Sequence, residues 1–135
     1  MDDHGDSLIM LDIDHFKGIN DAYGHIFGDV VLRVIASRIK STLRKHDLVG
    51  RVGGEEFLVV CPDSSLDDTV VVAERIRNII NIEEIGDGID QVRVALSAGL
   101  TMLNVEDDSS DKVFSRADTA LYKAKEEGRN RVVVM

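Results

Sequence analysis

Four acids in two groups carry the strongest chemical signal in the chain. Asp12 and Asp14 stand at the end of the apolar run "SLIMLDI", and Glu55 and Glu56 follow two glycines in "RVGGEEFLVV". Alternation along an extended chain puts Asp12 and Asp14 on one face. Glu55 and Glu56, as strand neighbours, point to opposite faces and take different jobs. If the first strand pairs beside the glycine-led hairpin in the middle of a sheet, Asp12 and Glu55 converge. Two carboxylates about 4 Å apart repel by roughly 4 kcal/mol at an effective dielectric of about 20, a cost that a marginally stable fold does not carry idly. A bound cation reverses the sign of that cost. With only oxygen donors the ion is hard, Mg2+ or Ca2+, and few protein ligands completed by substrate phosphates is the Mg2+ habit. The bland alternative is that these are solvated acids at a strand end and a hairpin tip.

The residues after the first strand suit a phosphorylated ligand. "DHFKGIND" follows it directly, and a strand-to-helix turn exposes backbone N–H groups that can hold phosphate. Lys17 adds positive charge there, although the Walker spacing is missing and an exposed lysine is the ordinary alternative. Asn20 and Asp29 bracket "AYGHIFG". Asp29 could merely cap a helix, yet guanine offers N1–H and N2–H2 donors that one carboxylate accepts as a pair, an edge that adenine lacks. His4, His15, His25 and His46 are dispersed, without the paired spacing of a zinc site. No Gly-x-Ser-x-Gly element is present, and Cys61, the only cysteine, has no evident histidine partner, so nucleophilic hydrolysis loses ground. Cys61 lies in "EFLVVC" and reads as a buried, reduced thiol.

These residues need elements to hold them. The run 7–13 suits a buried central strand, followed by a turn-rich passage over 15–29. A helix then begins near Asp29, with Val31, Leu32, Ile35, Ala36, Ile39 and Leu43 on its apolar face. "LVGRV" and "EFLVV" flank a tight two-residue bend at Gly53 and Gly54, where both residues tolerate positive φ. "SSLDDTVVVAERIRNII" supplies capping residues and a second helical face. "IGDGID" is a loop or minor hairpin tip, and "QVRVALSAGLTML" a strand in which Gly99 marks a bulge or a close backbone approach. A third helix spans 110–127, stopped by Gly128, and "RVVVM" is a last strand. The order implies an α+β sandwich of the ferredoxin-like βαββαβ kind, with helices covering a mainly antiparallel sheet.

Composition limits the partners. The 135 residues suit a single domain, 1–135. Apolar residues at 44% and charged residues at 30% describe a folded chain. A formal charge of −9 argues against broad binding to nucleic acid or anionic membranes. No apolar run reaches the length of a membrane span and the first residues do not resemble a basic signal peptide, so a cytoplasmic location is expected.

Taken together, "DIDHFKGINDAYGHIFGD", "RVGGEEF" and "ADTALYKAKEEGRN" resemble the GGDEF domain family, the bacterial diguanylate cyclases. The resemblance covers most of the chain. It implies a five-stranded palm-like sheet with flanking helices, akin to polymerase palms and nucleotide cyclases. It implies condensation of two GTP into cyclic di-GMP and two pyrophosphates in a homodimer. By matching positions, Asp12, Glu55 and the backbone carbonyl of Ile13 hold Mg2+, or Mn2+ in its place. Asn20 and Asp29 recognise guanine. His15, Phe16 and Lys17 cradle the terminal phosphates, which Lys125 and Arg129 also reach. Gly53 and Gly54 leave room for nucleotide against the hairpin, and Glu56 is the candidate for activating the 3′-hydroxyl. Glu at the family's third letter is a frequent substitute with the same charge.

Arg44 and Asp47 stand where the family's inhibitory Arg-x-x-Asp motif stands, with Arg75 as its secondary arginine. The resemblance places cyclic di-GMP there as feedback inhibitor, through forked guanidinium contacts, where a surface ion pair is the plain alternative. One departure is expected to matter. The family's opening Asp-x-Leu-Thr-Gly-Leu-x-Asn-Arg-Arg segment, which leads to a sensor or receiver domain, is missing, so the chain is read as an N-terminally truncated fragment with weak or no activity alone. Two other readings stand beside the enzyme. One is a non-catalytic module sensing GTP or cyclic di-GMP, which has no need of every acid; the other is an adenylyl cyclase or polymerase fragment, disfavoured by Asp29 and the acidic surface.

Overall fold

The sheet is built outward from its first strand. A computed structural model describes residues 5–104 and 106–135, so His4 lies outside the described residues. Strands β1 (Gly5–Ile13), β2 (Leu48–Arg51), β3 (Glu56–Ser64), β6 (Leu96–Met102) and β7 (Val132–Val134) form one sheet in the order β2-β3-β1-β6-β7. Every pair is antiparallel except β6 and β7, which run parallel. A second, two-stranded ribbon joins β4 (Ile85–Gly86) to β5 (Gln91–Val92), the expected minor hairpin around "IGDGID". The five-stranded, mainly antiparallel sheet flanked by helices agrees with the expectation from the sequence.

β1 is central because it is apolar on both faces. Its residues from Ser7 to Ile13 are all buried. Ile9, Leu11 and Ile13 join Phe57, Val59, Leu96 and Leu100 in the main core, beneath α1 (Phe16–Tyr23), α2 (His25–Thr42) and α3 (Leu66–Ile82). Met10 faces the other way, onto Ala117 and Leu121 of α4 (Ser110–Glu126). α4 packs so closely on β6 that a Cβ at Gly99 would overlap the backbone of Ala117 and Leu121, which accounts for the glycine as a close approach and not a bulge. Arg116 adds a polar tie: its guanidinium donates to Asp107, to the Thr101 hydroxyl at 2.7 Å and to the Met102 carbonyl at 2.8 Å.

Three local expectations are corrected. The passage 15–29 is not a turn-rich link: α1 occupies its first half, and α2 begins at His25 and not near Asp29. Gly18 and Gly24 weaken helix propensity there, but burial of Phe16 and Phe27 in the core outweighs it. Gly24, at φ 90°, breaks one helix from the next. The bend after β2 is longer than two residues, since the Val52 N–H donates to the Glu56 carbonyl at 3.0 Å, and neither Gly53 nor Gly54 has positive φ. Arg51 closes this bend with its own side chain, donating from Nε to the Gly53 carbonyl at 3.0 Å and from the guanidinium to the Gly54 carbonyl at 2.7 Å. The run after Gln91 also divides: the Asn81 amide donates to the Val94 carbonyl at 3.0 Å and the Asp14 N–H to the Ala95 carbonyl at 2.9 Å, so β6 starts only at Leu96.

Candidate active site

β1 delivers Asp12 to the face of the sheet covered by α4. Register sets Glu56 across from it on β3 and Ser97 across from it on β6. Asp12 is buried, and the Lys125 ammonium of α4 lies 2.5 Å from its Oδ2. Glu55 stands one residue before β3, in the bend, with its carbonyl accepting the Ile13 N–H at 3.2 Å. Strand alternation therefore does not separate the two glutamates, and both feel Asp12. Burial and then the Asp12 charge push the Glu55 carboxyl above its ordinary range, with Lys125 opposing and Glu56 adding. Glu56 is pushed up by burial, then by Asp12 and by Asp118 on α4, again against Lys125.

A cleft of about 190 Å³ gathers these groups. Asp12, Ile13, Asp14, His15, Phe16, Lys17, Glu55, Lys125 and Arg129 line it. Three segments far apart in sequence thus bring the acids, the turn after β1 and the two distal cations to one place. His15 makes the turn with a left-handed backbone, φ 57° and ψ 30°, and no side chain caps α1. Its first N–H groups therefore stand at the cleft without side-chain partners, the arrangement that suits anionic oxygens. Asp14 plays a different part from Asp12. Its Oδ1 accepts from the Ser97 hydroxyl at 2.6 Å and its Oδ2 from the Asn130 N–H at 2.9 Å.

The residues assigned to a base lie to one side. The Asn20 carboxamide occupies the space that a Cβ on Gly28 would fill, beside exposed Asp29. Asp29 edges a second cavity of about 410 Å³, whose walls include Leu32, Ala36, Val49 and Phe57, with Arg33 and Arg51 at its polar side. An apolar slot edged by a carboxylate fits a flat, hydrogen-bonding ring. Sequence reasoning missed Arg51; its place just before a glycine-rich bend, where bare carbonyls need donors, is the signal that could have found it. Gly53 has Glu56 at ordinary contact distance from where its Cβ would be, and Gly54 faces open space.

Arg44 and Asp47 meet as a forked pair. Arg44 Nε donates to Asp47 Oδ2 at 3.0 Å and its guanidinium to Oδ1 at 2.8 Å, with a further contact of 2.5 Å to the Ser64 hydroxyl. Burial pushes the Asp47 carboxyl up, but the Arg44 hydrogen bonds more than offset it and hold it below the ordinary range. Both line a cavity of about 660 Å³ with Lys40, Lys45 and Leu48. Arg75 is exposed on α3 and does not line that cavity. Cys61 is fully buried, with its thiol pushed up to about 11 by burial and Asp47, as a reduced, inert cysteine should be.

A mainly antiparallel sheet whose central strands present carboxylates beside a lysine- and arginine-lined cleft defines a palm-like α+β domain. The family model "Diguanylate cyclase, GGDEF domain" matches residues 2–131. Diguanylate cyclase A of Treponema denticola is 43% identical over 95% of this chain and 34% of its own length. Response regulator PleD of Caulobacter vibrioides is 43% identical over 94% of this chain and 28% of its own. The chain thus spans about a third of these relatives. Among solved structures, the GGDEF domain of DgcB from Caulobacter crescentus in complex with c-di-GMP superposes with a TM-score of 0.91 at 34% identity, covering 97% of this chain and 78% of that one. The active GGEEF domain of a diguanylate cyclase from Vibrio cholerae gives 0.88 at 38% identity, over 96% and 81%. The chain belongs to the GGDEF domain family of diguanylate cyclases.

Proposed function

We propose that this chain condenses two GTP molecules into cyclic di-GMP and two pyrophosphates, with one GTP held by each of two copies in a homodimer. The observation that carries this reading is the cleft in which Asp12, Glu55, Lys17, Lys125 and Arg129 meet. Glu at the third letter of the motif supports activity and not mere binding, since a Vibrio cholerae domain with the same GGEEF motif is described as active.

The donor set suits a hard divalent ion. Among the described residues no three His, Cys, Asp or Glu side chains form a metal cage, but the proposed set needs only two carboxylates and the Ile13 carbonyl, with phosphate oxygens completing it. The mutual repulsion of Asp12 and Glu55 is the strain that such an ion relieves. Bound Mg2+, or Mn2+, supplies charge neutralisation for the triphosphate. The N–H groups of the turn at His15, Phe16 and Lys17 bind the terminal phosphates together with Lys17, Lys125 and Arg129. Asp29 accepts from guanine N1–H and N2–H2 while Asn20 orients the ring. Glu56, whose carboxyl is held above its ordinary range, takes the proton from the 3′-hydroxyl. The 3′-oxygen then bonds to the α-phosphorus of the other GTP and pyrophosphate leaves. Positioning and preset charge supply most of the rate.

Arg44 and Asp47, with Arg75, form the product site in this reading: the forked guanidinium of Arg44 turns from Asp47 to guanine and phosphate. An upstream sensor or receiver domain that pairs two copies fits a site holding one GTP per chain.

Incubation with GTP and Mg2+, followed by mass spectrometry, tests the activity. Cyclic di-GMP from the unaltered protein and none from Glu55→Ala is expected. Tight GTP binding without product would leave the sensor reading in its place, and product from both samples would remove the metal assignment.

A further inference from the structure

The mechanism leaves one buried acid unused. Asp14 lies between metal candidate Asp12 and the phosphate turn and lines the cleft, yet both its carboxylate oxygens are already engaged, one by the Ser97 hydroxyl of β6 and the other by the Asn130 N–H after α4. Asp14 and Ser97 are both buried. The segment they hold is unusual: Arg129 and Asn130 are consecutive non-glycine residues in the left-handed region, at φ 65° and 48°. Such backbone persists only where its surroundings over-determine it. The Arg129 N–H donates to the Ala124 carbonyl at 2.9 Å, the Arg131 carbonyl accepts from the Ala98 N–H at 2.9 Å, and Arg77 of α3 donates to the Asn130 side-chain oxygen at 3.1 Å. The Asp14 carboxylate on the Asn130 N–H ties this turn to the segment that carries the phosphate-binding turn.

We infer that Asp14, fixed by the Ser97 hydroxyl, is a positioning residue that holds the strained Arg129–Asn130 turn so that the Arg129 guanidinium meets the triphosphate bound by the turn at His15, Phe16 and Lys17. This deepens the proposed function and rests on it. The clasp links the two walls of the cleft through a residue whose two oxygens are taken up by protein donors. It also explains why a short polar side chain stands where the strand ends: it must meet a hydroxyl on one side and accept from a backbone N–H on the other. An asparagine could do the same, accepting from Asn130 through its oxygen and donating to Ser97 through its amide.

The test is a double-mutant cycle read by calorimetric GTP binding with Mg2+. In the unaltered chain Arg129→Ala should weaken GTP binding about tenfold, and in an Asp14→Ala background by no more than about twofold, because the guanidinium is already misplaced. Asp29→Ala should cost the same factor in both backgrounds. Asp14→Asn should restore most of the Arg129 dependence, which a purely structural acid would not predict. Ser97→Ala, which removes one tether and keeps the fold's backbone bonds, should give the same coupling in weaker form and serves if Asp14→Ala does not fold. An equal Arg129→Ala effect in every background, with GTP binding intact, overturns this inference alone. Absence of GTP binding by the unaltered chain overturns the proposed function and this inference with it.

Discussion

Glu55 and Glu56 each stand where a charge is unwelcome. Their carboxyls are raised, so the folded state holds their protons more tightly than the unfolded state does, and the fold loses stability as pH rises through their shifted values. Glu55→Gln should therefore raise the melting temperature at pH 7 to 8 without divalent ion, by an amount that vanishes below the ordinary glutamate range. Mg2+ should raise the melting temperature of the unaltered chain and leave that of Glu55→Gln nearly unchanged. Thermal scans across pH, with and without Mg2+, check both; a drop in melting temperature on substitution at neutral pH would contradict the assigned repulsion. A binding acid kept at a cost to the fold is the common trade between stability and activity.

Between elements, contact is closest where α4 lies on β6. Gly99→Ala places a methyl group into the backbone of Ala117 and Leu121, which neither neighbour can yield by a rotamer change. A loss of about 3 kcal/mol in urea unfolding is expected, at the upper end for overpacking, together with loss of GTP binding as Lys125 and Arg129 shift. How much of this was legible differed by element. The strand 7–13, the capped α3, the end of α4 at Gly128 and the close approach at Gly99 follow from periodicity and glycine placement, and Ser65 indeed accepts from the Asp68 N–H at 3.1 Å. α1 was not legible, because Gly18 within it, Gly24 just after it and several polar residues mask a helix that buried Phe16 sustains. The Asp12 and Glu55 encounter needed strand order, which no local pattern encodes. Asp14 was read as sharing a face with Asp12, and its partners Ser97 and Asn130 lie more than eighty residues on in the chain and carry no sequence signal of their own.

As a whole, the molecule gathers its acids and distal cations in one cleft per chain, whereas the proposed reaction joins two nucleotides. Turnover per chain should therefore rise with protein concentration, and fusion to a dimeric coiled coil should raise it at low concentration and abolish that dependence. Initial rates over a hundredfold dilution series check this; a rate per chain independent of concentration in a monomer shown by sedimentation would contradict the two-copy reading. α4 packs on β6, β1 and β7, and on that same face Leu58 and Val60 of β3 are only half-buried. No helix in the described residues is long and apolar enough to cross a membrane.

The cleft draws on residues 12–17, on Glu55 and on Lys125 and Arg129, with the Asn130 N–H held by Asp14 beside it. The central strand pairs with β3 and β6, and Asp14 just after it meets Asn130 across 116 residues, so long-range loop closure governs how quickly this domain matures. A chain halted before Lys125 would hold four of the five paired strands without either distal cation, so the cleft is completed only after the strands that carry its acids have met.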